Sequence, residues 1–498
     1  MIEWTGSNAI WIAMALPLLA ICWVFLFGKV PNLREAGSIA VSVVLFGVNI
    51  SLSKLVFNGG RPEFCLGEML PGFELSFTVE PLGMIFALVA SGLWVLTTIY
   101  AIGYMRGHHE SNQTRFFACF AAAIFAAMAA AFAGNLFTLF VAYEIMTVST
   151  YPLVTHHGDA KAKAGGRVYL GILLSTSIAF FMFAIAWTWH LTGTTDFRDG
   201  GILREAFEAG RISSISLAVL LGLFVYGIGK AALMPMHRWL PAAMVAPTPV
   251  SALLHAVAVV KVGVFSVLKV AIYVFGIDLL NETGSSEWLC YVAGATILLG
   301  SLVAMTKDNL KARLAYSTVS QLAYITLGAA LATPAAAVGG GMHIAMHAVG
   351  KITLFFCAGA IYVGAHKTDI SDMRGLGRAM PFTFGAFLLA AISIIGLPPG
   401  GGSWSKWFLA VGTVDRGMYF LTATLMISSL LNIAYLVPIP IRAFLTPTGQ
   451  EPMKLNEAPL MCVVPLCITA VGSVLLFFFA NEIYNVMAPI VEGSTNPS

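Results

Sequence analysis

The residues of this sequence that can do chemistry are ionisable groups set inside long apolar runs. From Tyr226 to Lys261 the chain reads YGIGKAALMPMHRWLPAAMVAPTPVSALLHAVAVVK. Lys230 stands ahead of a middle broken by Pro235, Pro241, Pro247 and Pro249, and a second apolar run carries His255 and Lys261. Glu144 sits inside NLFTLFVAYEIMTVSTYPLV. His343, His347 and Lys351 fall at i, i+4 and i+8 in AAAVGGGMHIAMHAVGKITLFF, so they share one helical face. Lys406 follows a double proline and three glycines in IIGLPPGGGSWSKWFLA. A charge at the centre of a bilayer costs ~3 kcal/mol even on insertion scales, so such groups mark ion or proton paths by default. The chemistry they offer is holding and passing protons.

These groups need a membrane-embedded frame, and composition supplies one. The chain has 498 residues, 58% hydrophobic and 10% charged, whereas soluble domains carry about 25% charged residues. The net charge of +3 gives no argument for nucleic acid. Seven scattered cysteines, without CxxC or Cys/His clustering, predict neither a metal site nor a disulfide framework. Fourteen candidate spans lie near 8–28, 37–57, 81–105, 116–133, 135–154, 167–191, 214–236, 248–276, 288–306, 314–332, 335–364, 381–411, 417–446 and 459–490. They are numbered 1 to 14 below. The first follows an acidic start (MIEW) and is long enough to span, so it reads as a retained helix rather than a cleaved signal. No long polar stretch interrupts the series. The expectation is an all-α polytopic membrane protein, with residues 1–498 as a single membrane domain that stops just after span 14.

Lys and Arg counts orient it. Sixteen fall in the loops after odd-numbered spans and six on the other side, which predicts both termini outside the cytoplasm.

Three physical expectations follow. Glu144 and Lys230 should pair, because an isolated ion in lipid would neutralise instead. A carboxylate moving towards or away from Lys230 would switch that lysine's proton affinity. The Pro/Gly breaks at spans 7–8 and 12 free backbone groups in mid-membrane. That is tolerated only beside protein or a wet cavity, and it points to a transporter's central site. Blander readings hold for single residues. Lys269, near the end of span 8, can snorkel to the interface. His255 can be a packing histidine, and Lys54, His156 and His157 read as interfacial. The set Glu144, Lys230, Lys261, His343, His347, Lys351 and Lys406 is too large for structural glue and reads as a hydrated proton or cation path.

Three of these stretches carry a resemblance: KAALMPMHRWLPAAMVAPTPVSALLHAVAVVK, the Glu144 helix and GLPPGGGSWSKW. They resemble the proton-translocating antiporter-like subunits of respiratory complex I, membrane-bound hydrogenases and Mrp-type cation/proton antiporters. The likeness runs from about span 3 to span 13. Length, span number and the absence of a C-terminal extension resemble the D subunits of Mrp antiporters. The resemblance implies two inverted five-helix repeats, approximately 115–276 and 287–446, flanked by spans 1–3 and 14, with helices broken at spans 7 and 12. It implies Glu144 and Lys230 as a switch, Lys261 as relay, His343 and His347 as bridge, and Lys406 as terminal exchanger. Lys351 and His255 are further candidates. Ser403 stands where the family's span 12 motif has Phe, and Met244 where many relatives have His, so no residue is assigned to cytoplasmic proton access.

The function so implied is a subunit of a multi-subunit cation (Na+)/proton antiporter of the bacterial cytoplasmic membrane. The alternative is the proton-pumping membrane arm of a complex I-like dehydrogenase or a hydrogenase. Either way the chain is a transporter subunit rather than an enzyme by itself. It has no Rossmann glycine motif and no iron–sulfur or haem spacing, so no cofactor is expected. Expected partners are other membrane subunits, the lipid bilayer, protons and sodium, with no nucleic acid. No carboxylate cluster lies within the spans, so sodium should bind at least partly on a partner subunit.

Overall fold

The computed structural model describes residues 6–445 and 455–492. Each of the fourteen apolar segments is helical. Among the described residues eleven helices are long and apolar enough to cross a membrane, including Gly6–Leu26, Gln113–Ala131, Leu136–Val154, Thr248–Phe275 and Pro334–Ala365. The other three segments are instructive. Span 10 (Leu310–Ala330) has the length but carries Lys311, Arg313, Ser317, Thr318, Ser320, Gln321 and Thr326. Spans 7 and 12 are broken. Span 7 is regular only over Ser214–Gly227 before short helical turns. Span 12 splits into Pro381–Ile395 and Gly402–Asp415. The protein is an all-α, multi-pass membrane protein.

Helix starts follow local chemistry. Asn135, Asp159, Ser213, Asn309 and Thr333 each cap a helix through a side-chain oxygen. Proline opens spans 2, 3, 11 and 12, where its missing N–H would be unpaired anyway. Spans 8 and 11 form the axis: the apolar window of span 8 is wholly buried and that of span 11 is 94% buried.

Among the described residues, one two-stranded element departs from the all-helical expectation. β1 (Glu63–Leu70) and β2 (Phe73–Thr78) form an antiparallel hairpin between spans 2 and 3. Its charged and glycine-bearing strands lack an apolar run, so a search for spans passes over them.

Two cross-links occupy matching places. Asn135 caps span 5 and bridges Asp196, beyond span 6; Asn309 caps span 10 and bridges Asp369, beyond span 11. The backbone agrees: Leu136 N–H donates to Thr195 O at 2.9 Å, and Leu310 N–H donates to Thr368 O at 2.9 Å. Phe197 N–H returns to Gly134 O at 3.0 Å, and Ile370 N–H to Asp308 O at 2.9 Å.

Candidate functional site

Lys230 lies in the break itself, not in the helix ahead of it. Span 7 stops at Gly227 and Lys230 occupies the turn Gly229–Ala231. The side chain is fully buried. Its Nζ donates to Tyr143 O at 2.7 Å and to Thr147 Oγ1 at 2.5 Å, and lies 3.1 Å from the Tyr143 ring centroid. Its backbone N–H donates to the Tyr143 hydroxyl at 3.0 Å. Trp239 Nε1 donates to Gly229 O, satisfying a carbonyl that the break set free. Gly263 of span 8 makes the approach possible: a Cβ there would overlap both Ala231 N and the Lys230 carbonyl carbon.

The expected Glu144–Lys230 ion pair does not form. The Lys230 ammonium is held by a carbonyl and a hydroxyl of span 5, while both Glu144 carboxylate oxygens lack a hydrogen-bond partner. Successive positions on a helix do not face the same way. Tyr143 and Thr147 point at the break, and Glu144 lies one position round. Its charge still reaches Lys230 electrostatically. The pair is therefore separated in this structure, with no direct contact to break.

Further along, Lys261 is fully buried and its Nζ has no protein partner. Lys351 is buried and donates to Ser317 Oγ at 2.8 Å, which also accepts from Tyr435 OH at 2.9 Å. Tyr435 in turn bonds Asn432, so Lys351 anchors a polar chain joining spans 10, 11 and 13. His343 and His347 stack at 5.5 Å between centroids, as their four-residue spacing predicts. His343 Nδ1 bonds Ser405 Oγ at 2.8 Å, which links span 11 to the second half of span 12. Tyr324 stacks on His343 at 5.6 Å and lies beneath Lys406 Nζ at 4.8 Å. Lys406 Nζ donates to Ile395 O at 2.9 Å, the carbonyl left free where span 12 breaks, and to Ser429 Oγ at 3.3 Å. Gly396 makes that turn with φ +90°, and a Cβ there would lie 2.6 Å from Lys406 Cδ. The charges of Lys261, Lys351 and Lys406 all reach His343 and His347.

Lys261, Lys351, His347, His343 and Lys406 are thus brought together, and Lys230 and Glu144 sit at the other break. Several polar atoms in the row lack protein partners: Lys261 Nζ, His343 Nε2 and both His347 nitrogens. A buried polar group without a partner is costly unless water serves it, so this interior suits a hydrated path. The side chain of His255 lies outside the described residues.

Lys269 does not snorkel. It is fully buried and forms an ion pair with Glu80 at 2.9 Å, also donating to Ala133 O at 2.8 Å. Glu80 accepts from Gly83 N–H at 3.0 Å and Tyr273 OH at 3.2 Å. Glu80 is thus a buried carboxylate set against one of these bases, and its pair latches spans 3, 4 and 8 together. Its sequence signal is slight, a glutamate one place before the Pro81 that opens a long apolar run. Thr147 and Ser405, which hold Lys230 and His343, also escape sequence reasoning; hydroxyls in apolar helices are too common to single out.

Helices broken around buried lysines, with a row of buried Lys and His between them, define a class: polytopic membrane proteins with discontinuous helices and ionisable groups inside the bundle. Residues 133–432 match the family described as NADH:quinone oxidoreductase/Mrp antiporter, TM, and residues 71–117 match the N-terminal segment of complex I chain 5. The chain belongs to this family of antiporter-like membrane subunits. It is 30% identical over 473 residues to the N subunit of an NADH-quinone oxidoreductase from Desulforudis audaxviator, covering 91% of this chain and 92% of that one. It is 25% identical over 494 residues to the D subunit of a Na(+)/H(+) antiporter from Alkalihalophilus pseudofirmus, covering 99% and 98%. Its fold matches a chain of the Mrp complex from Dietzia sp. with a TM-score of 0.85 at 20% identity, covering 99% and 98%.

Proposed function

We propose that this chain is a proton-translocating subunit of a multi-subunit cation/proton antiporter in a bacterial cytoplasmic membrane. The observation that carries the reading is the row Lys261, Lys351, His347, His343, Tyr324, Lys406, buried and flanked by two broken helices. Protons move along that row, and Glu144 tunes Lys230 through space. Proton occupancy at each site alters its neighbours, because like charges this close disfavour simultaneous ionisation. Residues 115–276 and 287–446 act as two inverted copies. The matching Asn–Asp bridges support this, since five spans separate them and an odd number inverts the second copy. Both termini lie outside the cytoplasm in this reading, which the excess of Lys and Arg in the odd-numbered loops supports. Sodium, where exchanged, binds at least partly on a partner membrane subunit.

A second reading makes the chain part of the membrane arm of a quinone-reducing complex. The higher identity to the oxidoreductase relative (30% against 25%) favours it, whereas the near end-to-end match to the antiporter relative favours the first. Chains that copurify with this one decide between them: small antiporter subunits support the first, iron–sulfur and quinone-site subunits the second. For either, Glu144→Ala and Lys230→Ala should each abolish proton flux in vesicles while the complex still assembles. Normal flux in an assembled variant would refute the switch.

A further inference from the structure

A second group of titratable side chains lies outside the row, at the ends of spans 3 and 5. Glu110 Oε1 is 3.1 Å from His108 Nδ1, and its Oε2 is 3.6 Å from His157 Nδ1 and 3.8 Å from His156 Nε2. One carboxylate thus faces three imidazoles. The Glu110 side chain is 7% exposed and that of His156 1%, whereas His157 is 37% exposed. Neither ring nitrogen of His156 has a hydrogen-bond partner. Among the described residues no His, Cys, Asp or Glu group is arranged to hold a metal ion.

It borders a cavity of about 590 Å³. His157 is the only imidazole among the described residues lining it, which also include Tyr104, Asp159, Lys161, Lys311 and Lys367. Met244, the position where the resemblance leads one to expect a histidine, lines it too and cannot carry a proton. The inner wall includes Ala358, two turns from Lys351 on the same helix, or roughly 10 Å along its axis. By the loop-charge orientation, the cavity opens to the cytoplasm.

We propose that Glu110, His108, His156 and His157 form a proton-exchange station at the mouth of this vestibule, passing protons between the cytosol and the Lys351–Lys261 end of the row. This rests on the proposed transport function and on its orientation. The step is proton transfer alone: an imidazole takes a proton from a cytosolic acid and gives it to water in the vestibule, or the reverse. Groups from the neighbouring elements border the station and its cavity. The charged ones acting on His156, besides Glu110, are Arg115 from span 4 and His157 after span 5; Tyr104 from span 3, Asp159 and Lys161 ahead of span 6 and Tyr362 from span 11 line the adjoining cavity, the Tyr362 ring tilted against His108 at 4.9 Å. Burial lowers the proton affinity of His156 and Arg115 opposes its charging, while Glu110 raises it. Without Glu110, His156 loses the neighbouring charge that favours its protonation.

The test is proton flux in vesicles carrying the assembled complex, with the cytoplasmic-side buffer varied. Glu110→Gln and His157→Gln, which remove a proton carrier or the carboxylate beside it, should cut flux about tenfold at pH 8 in weak buffer. Both should recover to within about twofold at pH 6 or with added imidazole, a mobile carrier that replaces the station. Glu110→Asp should retain most of the flux, and the exposed neighbour variant His109→Asn should behave as wild type. Unchanged flux, or a loss that neither acid nor imidazole rescues in an assembled complex, would overturn the proposal. Full flux in Lys230→Ala would instead overturn the transport reading, so the two failures are distinct.

Discussion

Lys269 and Glu80 give the sharpest quantitative prediction. Both are buried, 2.9 Å apart, and each has further partners: Ala133 O for the ammonium, Gly83 N–H and Tyr273 OH for the carboxylate. Lys269→Met removes the cation and leaves the carboxylate with two neutral donors. Glu80→Gln leaves a buried ammonium with one carbonyl. Removing one partner of a buried pair typically costs about 3–5 kcal/mol, because the survivor is left uncompensated. The double variant leaves no charge behind; its amide can still accept from Gly83 N–H, and methionine fills the volume of the lysine stem. Exchanging a buried pair for neutral groups is often close to neutral, so the double variant should lose about 1–2 kcal/mol. The coupling energy should then exceed ~4 kcal/mol, the sum of the two single losses less that of the double. The assay is a denaturant titration of the purified chain in detergent, comparing midpoints across the four forms. A Lys269→Met variant within ~0.5 kcal/mol of wild type, as a lysine snorkelling to the interface would give, refutes the latch.

Other predictions follow from the site. Thr147→Val removes a hydroxyl 2.5 Å from the Lys230 ammonium; a bond to a charged group is worth ~1.5–3 kcal/mol, so flux should fall at least tenfold, while Thr147→Ser retains it. Equal flux in both variants would exclude Thr147. Gly263→Ala drives a methyl into the Lys230 turn and should cost ~1–3 kcal/mol by overpacking, lowering assembly yield. Gly171→Ala, with nothing within 4 Å, is its control and should leave yield unchanged. Ser405→Ala removes the 2.8 Å bond to His343 Nδ1 and should slow flux several-fold in a complex of normal stability; normal flux would show that His343 does not need span 12 to orient it.

Much of the frame was legible because lipid imposes simple rules. Apolar runs of fixed length became helices, and prolines and glycines at spans 7 and 12 became breaks. The four-residue spacing of His343 and His347 became a stacked pair. The hairpin at 63–78 was not legible because its strands resemble polar loop. The matching cross-links were also present in the sequence, as Asn-Leu at 135–136 and 309–310 and Thr-Asp at 195–196 and 368–369. Dipeptides that common mean nothing until the backbone joins them across some 60 residues.

Sequence by itself settled that ionisable side chains sit within membrane-spanning segments, since hydropathy and spacing are properties of the chain. Which of them meet was decided only in three dimensions. Spacing could not tell that Tyr143 and Thr147, rather than Glu144, would face Lys230, because that depends on how span 5 is rotated against the break. Nor could it tell that Lys269 would turn inward to Glu80, 189 positions away in the chain. The physical reason is common to both: a buried charge takes whichever partner packing brings within hydrogen-bond range, and packing is a property of all the helices at once.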